Sequence, residues 1–247
     1  MSAISKSTKI YWGLVITLAF LTGISVFYLP SQLVPAEDMP APTPVMALAN
    51  AALILVFYGG LGYVGLRLSR VIGFADIWDE NVSNRQRFYI PAVVGVLIGI
   101  FFILTDLVVS QFYTVDALVH PEFPMSIVAS ITAAIGEEII FRLFFIPFWL
   151  WLISWALLKQ RYFNQIFWIL SVLSALLFAV GHIPSAMALL GLDSASQIPL
   201  IILGEILLLN SVLSIPAAYY MRQYGFLAAV GIHFWTDVVW HVLYGLV

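Results

Sequence analysis

The sequence predicts an all-α fold, a polytopic transmembrane bundle of about seven helices with a polar site inside the membrane. Of the 247 residues, 62% are hydrophobic and only 9% are charged, whereas a soluble domain has roughly a quarter charged residues. The apolar residues also fall in runs that can cross a bilayer, which requires about 20 helical residues. Because so few charges cannot cover a water-soluble surface, we expect an integral membrane protein surrounded by the lipid bilayer.

Apolar runs and the breaks between them divide the chain into seven predicted spans. The fourth is long for a single crossing, and Pro147 within it is predicted to kink or divide the helix. The first is longer than the apolar region of a signal peptide, so we expect a membrane helix there. In residue numbers the spans are 10–29, 45–66, 88–112, 124 toward 159 (with Lys159 in the connection that follows), 165–182, 198–220 and 226–247.

Basic residues predict the orientation of the bundle. Cytoplasmic connections are enriched in Lys and Arg, and nine of the ten basic residues lie before the first span or in alternate connections after it. This pattern predicts a cytoplasmic N-terminus, an outside C-terminus and a single crossing for the fourth span. The exception, Arg142, lies inside that span. No run of Lys and Arg indicates nucleic acid as a partner, and the lack of cysteine excludes a disulfide framework or a thiolate nucleophile.

Ionisable residues inside the apolar spans are the candidate functional residues. Each costs about 2.5–3.5 kcal/mol at the bilayer centre on insertion scales, so such residues pair or face a cavity. Glu138 and Arg142 are four residues apart and can pair on one helix face. Glu137 is turned by about 100° from Glu138, which leaves it for another task, such as general acid or base catalysis. The alternative is a buried ion network that only locks helix packing.

The seventh span places three polar residues on one face. His233, Asp237 and His241 recur at every fourth position. A histidine and a carboxylate four residues apart can bind one metal ion or form a hydrogen-bonded pair, although a polar seam between helices has the same spacing. His241 lies nearer the outer end of the span and ranks below the other two.

Two further spans contribute one candidate each. His182 ends the fifth span, where it is either a site residue or an interfacial histidine. Glu205, in the sixth span, either completes the polar network or stays protonated against a neighbouring helix. Asp106 and His120 are expected at the outer boundary of the membrane.

Together, these segments resemble the CPBP family of intramembrane peptidases, which includes the CAAX prenyl endopeptidases and bacteriocin-processing enzymes. The family pattern is Glu-Glu-x-x-x-Arg, then Phe-x-x-x-His, then His-x-x-x-Asn or Asp, each on its own membrane helix. The resemblance implies a CPBP-like catalytic core in residues 124–247, after N-terminal transmembrane helices in residues 1–123. The matching residues are Glu137, Glu138, Arg142, Phe178, His182, His233 and Asp237.

The resemblance also implies roles for the residues of the first two motifs. Glu137 activates the attacking water with the help of His182, and the pair of Glu138 and Arg142 holds the site together. The glycine that often follows the family's arginine is replaced by Leu143 in this sequence.

The resemblance further implies that His233 and Asp237, the residues of the third motif, stabilise the oxyanion or help to orient the water. The prenyl endopeptidases have asparagine where this chain has Asp237, and an ionised aspartate cannot donate a hydrogen bond. Asp237 therefore fits better as a residue that orients His233 or binds a metal. The cofactor is either none or one divalent metal such as zinc, although the usual His-Glu-x-x-His run is absent. The available metal ligands are Glu137, His182, His233 and Asp237.

The residues and the resemblance agree on an intramembrane endopeptidase that cleaves a protein or peptide substrate in the membrane. The small size and the lack of extra domains suggest the bacterial inner membrane. The alternatives are a non-catalytic scaffold or immunity-type family member and a proton-coupled transporter, against which the lack of inverted repeats counts. The peptidase hypothesis requires Glu137, His182 and His233 to share one cavity, although residue counting places them at different depths.

Overall fold

The computed structural model describes residues 4–28, 41–112 and 120–246, and its long regular elements are all helices. Seven of these helices are long and apolar enough to cross a membrane, which confirms the predicted fold class. Residues 29 and 247, predicted to end the first and last spans, lie outside the described residues. The helices are α1 Lys6–Ser25, α2 Thr43–Val71, α3 Arg85–Phe112, α4 Met125–Leu157, α5 Phe163–Ala188, α6 Leu200–Tyr224 and α7 Phe226–Leu246.

Large apolar side chains cover the outside of the bundle. Leu97, Leu104, Ile169 and Leu200 are each more than half exposed. A contiguous apolar surface of this kind marks contact with lipid or another apolar partner, and helices are one of the two structures that can satisfy their backbone within a membrane. The chain is therefore an integral membrane protein.

The C-terminal helix α7 lies at the centre of the packing. It contacts α3, α4 and α6, while α4 also contacts α1 and α2. The helices before residue 124 are thus walls of the same bundle that surrounds α7. The domain boundary at residue 123 stays a prediction.

The connection between α2 and α3 gathers basic residues at one end of the bundle. The Lys6 Nζ lies 3.6 Å from the centroid of the Trp78 ring, and the guanidinium of Arg87 lies 4.1 Å from the same ring. Arg70 pairs with Asp76 through an Nε–Oδ2 contact of 2.9 Å. This end corresponds to the predicted cytoplasmic side, and the orientation itself stays a prediction.

Two helices widen immediately after their candidate site residues. In α4 the segment Ile139–Phe145 is π-helical, and it begins directly after Glu138. In α7 the π-helical segment Val238–Leu243 begins directly after Asp237. Such segments are rare and are frequent at functional sites, because the extra residue in the turn changes the direction of the side chains.

The π-helical segment of α4 also explains why Pro147 does not divide the fourth span. In a regular α-helix the proline ring would collide with the carbonyl of Leu143, four residues earlier. The wider turns before Pro147 provide room, and α4 continues to Leu157 as one membrane-spanning helix. The predicted single crossing is confirmed, and the predicted division is wrong.

Gly65 of α2 lies directly against this segment. A Cβ atom on Gly65 would collide with the carbonyl oxygen of Leu143 and come within 2.8 Å of the Cα of Phe144. Because both neighbours are backbone atoms, they cannot move away by changing a rotamer. The close approach of α2 to α4 therefore requires a glycine at this position.

We predict that Gly65→Ala destabilises the protein, since overpacking of a filled interior costs about 1–3 kcal/mol. The measurement is the thermal unfolding midpoint of the detergent-solubilised protein. The matched control is Gly60→Ala in the same helix, where an added Cβ meets no atom within 4 Å. Equal unfolding midpoints for the two variants would show that the packing of α2 on α4 is not close.

Candidate active site

Glu138 and Arg142 form an ion pair buried at the centre of the bundle. The Arg142 Nε lies 3.3 Å from the Glu138 Oε2, and both side chains are fully buried. The Arg142 Nη2 also donates to the Ser214 Oγ of α6, at 2.7 Å. The guanidinium lies 4.4 Å from the centre of the Phe178 ring of α5. This arginine therefore connects α4 with α5 and α6.

The other oxygen of Glu138 binds the histidine of α7. The Glu138 Oε1 lies 2.9 Å from the His233 Nδ1. Because a carboxylate paired with arginine accepts hydrogen bonds, His233 donates from Nδ1, and its Nε2 is directed elsewhere. The Nδ1 contact is thus made by Glu138 and not by Asp237, which the sequence had suggested as the residue that orients His233.

Two more carboxylates lie on the Nε2 side of His233. The Oε2 of Glu137 is 3.6 Å from this nitrogen, and the Oδ2 of Asp237 is 3.5 Å from it. The side chain of Glu137 is 35% exposed, whereas that of Glu138 is fully buried. The two adjacent glutamates therefore differ in surroundings: Glu138 has two buried partners, and Glu137 faces open space.

His182 is oriented by its own helix. Its Nδ1 lies 2.8 Å from the carbonyl oxygen of Phe178, one turn earlier. A carbonyl only accepts, so His182 donates from Nδ1 and its Nε2 stays free for another partner. The Phe178 ring lies edge-on to both His182 and His233, at centroid distances of 4.7 and 5.8 Å, and so separates and supports the two imidazoles.

A single cavity of about 250 Å³ brings the predicted residues together. Four of its lining residues are Glu137, His182, His233 and Asp237, and the remaining wall is mostly apolar. Residue counting along upright helices did not predict this convergence, because packing sets the relative heights of neighbouring helices. The requirement that Glu137, His182 and His233 share one cavity is met.

The same cavity includes His241, the lower-ranked candidate of α7, and a histidine that was expected at the membrane boundary. The Nδ1 atoms of His120 and His241 lie 3.1 Å apart, and the His120 ring packs edge-on against Trp240. Burial in this contact lowers the pKa of His120 below its ordinary value, while the carboxylate of Asp106 opposes that shift. A hydrogen bond between two imidazoles needs one nitrogen that accepts, and a neutral His120 can provide it.

Asp106 and His120, which were expected at the outer boundary of the membrane, both lie inside the bundle, and their depth in the membrane stays a prediction. Asp106 is 3% exposed and accepts from the Tyr244 hydroxyl at 2.9 Å, and His120 lines the cavity. Neither belongs to a motif, so no spacing signal could have connected them to α7. Glu205, the candidate of α6, also lines the cavity and is 2% exposed.

The donor atoms do not form a metal site. Across residues 4–28, 41–112 and 120–246, no three His, Asp or Glu side chains have the mutual geometry to hold an ion. Nε2 of His233 has two carboxylates nearby, but at 3.5 and 3.6 Å.

The fold and the site define a polytopic membrane protein with a cluster of carboxylates and histidines inside its bundle. Residues 119–239 match the family model described as type II CAAX prenyl endopeptidase Rce1-like. This match, over just under half of the chain, confirms the resemblance to the CPBP peptidases, a family of proteases. No curated protein and no solved structure gives a significant match to the chain.

We predict that Arg142→Ala destabilises the bundle by about 3–5 kcal/mol, because it leaves Glu138 buried without a countercharge. The double variant Glu138→Gln with Arg142→Met should recover much of this loss, since no charge remains buried and the glutamine oxygen still accepts from His233. Unfolding in detergent measures both effects.

The control for this series is Arg67→Ala, which removes an exposed arginine and should change stability little. If the Arg142→Ala and Arg67→Ala proteins have the same free energy of unfolding, the buried pair does not stabilise the bundle.

Proposed function

We propose that this chain is an intramembrane endopeptidase that hydrolyses a peptide bond with a water molecule activated by Glu137. The observation that carries the proposal is the single cavity lined by Glu137, His182, His233 and Asp237, in a chain of which residues 119–239 match a protease family. Peptide hydrolysis needs a base for the water, donors for the developing oxyanion and a proton for the leaving amine. The cavity offers candidates for all three.

Glu137 is the proposed base. Its neighbour Glu138 has both oxygens directed to buried partners, whereas Glu137 faces the cavity. In the first step the water oxygen attacks the carbonyl carbon while Glu137 takes a proton from the water. In the second step the carbon–nitrogen bond breaks, and Glu137 returns that proton to the leaving nitrogen.

The two histidines are the proposed groups for the oxyanion and for the water. Each has its Nδ1 engaged by a fixed acceptor, Glu138 for His233 and the Phe178 carbonyl for His182. Each therefore has its Nε2 directed away from that acceptor. We assign the Nε2 of His182 to accept from the water, and His233, as an imidazolium beside its neighbouring carboxylates, to donate from Nε2 to the oxyanion.

Asp237 has a different proposed role from the one that the family's asparagine would have. It lies near the Nε2 of His233, on the same side as Glu137, and an ionised carboxylate only accepts hydrogen bonds. We propose that Asp237 stabilises the positive charge of His233 while that imidazole donates to the oxyanion.

Replacement of the proposed base should abolish most activity. We predict that Glu137→Gln lowers kcat/KM by about 10²–10⁴-fold, the range of general-base catalysis, and that His182→Ala also causes a large loss. The assay uses the full-length protein in detergent or vesicles with a panel of membrane-tethered peptides.

The matched control is Glu80→Gln, the same change at an exposed position of the α2–α3 connection, which should retain wild-type activity. If activity survives both Glu137→Gln and His182→Ala, the catalytic assignment is rejected, and the non-catalytic alternative is favoured.

The donor geometry favours a mechanism that uses glutamate without a metal. We predict that elemental analysis of the purified active protein finds less than one divalent metal ion per chain, and that activity persists after treatment with a chelator. Stoichiometric zinc together with loss of activity on chelation and its recovery on adding zinc would overturn this mechanism.

The location and topology belong to the same proposal. A cytoplasmic N-terminus and an outside C-terminus are supported by the basic residues gathered near Trp78. The bacterial inner membrane and a peptide substrate within the bilayer stay predictions. The division into residues 1–123 and a catalytic core at 124–247 also stays a prediction.

A further inference from the structure

Glu205 is a buried carboxyl group that has no partner within the described chain. The residue is 2% exposed, and neither of its carboxylate oxygens has a hydrogen-bond partner among the described residues. It lies on α6 and lines the cavity that contains the proposed catalytic residues. A buried polar group without a hydrogen bond is costly, so a ligand that bonds to it would gain free energy.

Position along α6 gives the distance of Glu205 from the reacting groups. Ser214 is a reference point on α6 near the catalytic cluster, because it accepts from Arg142, the partner of Glu138. Leu213, Leu209, Ile206 and Glu205 all line the cavity, so one face of α6 is a continuous wall. Nine residues of helix at 1.5 Å each place Glu205 about 13 Å from Ser214. An extended peptide covers that length in about four residues.

The charges around the cavity select the kind of group that fits there. Among the described residues that line it, three are acids, four are histidines and none is Lys or Arg. Arg142 lies outside this lining, held by Glu138 and Ser214. The amide nitrogen of Asn210 donates to the Ile206 carbonyl at 2.8 Å, which leaves the amide oxygen as a further acceptor. The two polar residues of α6 in this wall, Glu205 and Asn210, therefore both offer acceptor oxygens to the cavity.

We propose that Glu205 is a specificity residue that binds a positively charged nitrogen of the substrate, two to four residues from the scissile bond. The inference rests on the proposed peptidase function and names its substrate class: peptides with a Lys or Arg side chain near the cleaved bond.

The test compares peptides that differ at one position. A single Lys is moved through four residues on either side of the scissile bond, with both peptide ends blocked, and each peptide has a partner with norleucine in place of Lys. For the wild type we expect at least one position where kcat/KM is about tenfold or more higher for Lys, as a charge-assisted bond predicts. A further peptide with a free N-terminus and no Lys shows whether a terminal amine serves equally well.

Two variants assign the preference to Glu205. Glu205→Gln keeps the size of the side chain and removes its charge, so the ratio of kcat/KM for the Lys and norleucine peptides should fall to about one. Glu205→Lys should favour a peptide with Glu at the same position. A Lys preference that is unchanged in Glu205→Gln would overturn the proposal, as would an equal loss for both peptides. Glu80→Gln is the control and should keep the wild-type ratio.

A binding measurement separates this inference from the proposed function. Fluorescent Lys and norleucine peptides are titrated against the Glu137→Gln protein, and against the same protein with Glu205→Gln added, so that no turnover is needed. Preferential binding of the Lys peptide that is lost with Glu205→Gln supports the inference even if the wild type cleaves no peptide. Cleavage by the wild type without any Lys preference supports the peptidase and rejects the inference.

Discussion

Glu138 of the fourth helix is held between a guanidinium and an imidazole, and the site depends on this contact. One oxygen pairs with Arg142 and the other accepts from His233. Burying ionised groups is expensive unless each is paired and hydrogen-bonded, and here the partners lie on two helices, with Ser214 and Phe178 adding two more. The need to keep these charges together therefore fixes how four helices meet.

This contact also divides the tasks of two adjacent acids. Because Glu138 is occupied on both oxygens, it orients His233 through Nδ1 and leaves Nε2 on the side of Glu137. Successive helical residues point about 100° apart, so Glu137 reaches the cavity that Glu138 cannot. The π-helical turns of α4 and α7 start directly after Glu138 and Asp237. Both helices therefore depart from regular α-helical geometry next to the cavity.

Several features of the site were predictable from spacing within one helix. The ion pair of Glu138 and Arg142 follows from an interval of four residues, and three ordered motifs were enough to recognise the resemblance that the match over residues 119–239 confirms. Features that depend on contacts between helices were not predictable. The bond from His233 to Glu138 joins residues 95 positions apart, and His120, between spans, meets His241 in the cavity without any motif.

The sequence by itself determined that the chain is an all-helical membrane protein and which charged residues must find partners in the bilayer, because hydropathy and helical periodicity are local properties. Only the tertiary structure decided which partner each residue has. In the folded chain Glu138 contacts both Arg142 and His233, and Glu137 faces the cavity. Glu205 has no hydrogen-bond partner among the described residues. These outcomes depend on the heights and rotations of packed helices, which no single segment specifies.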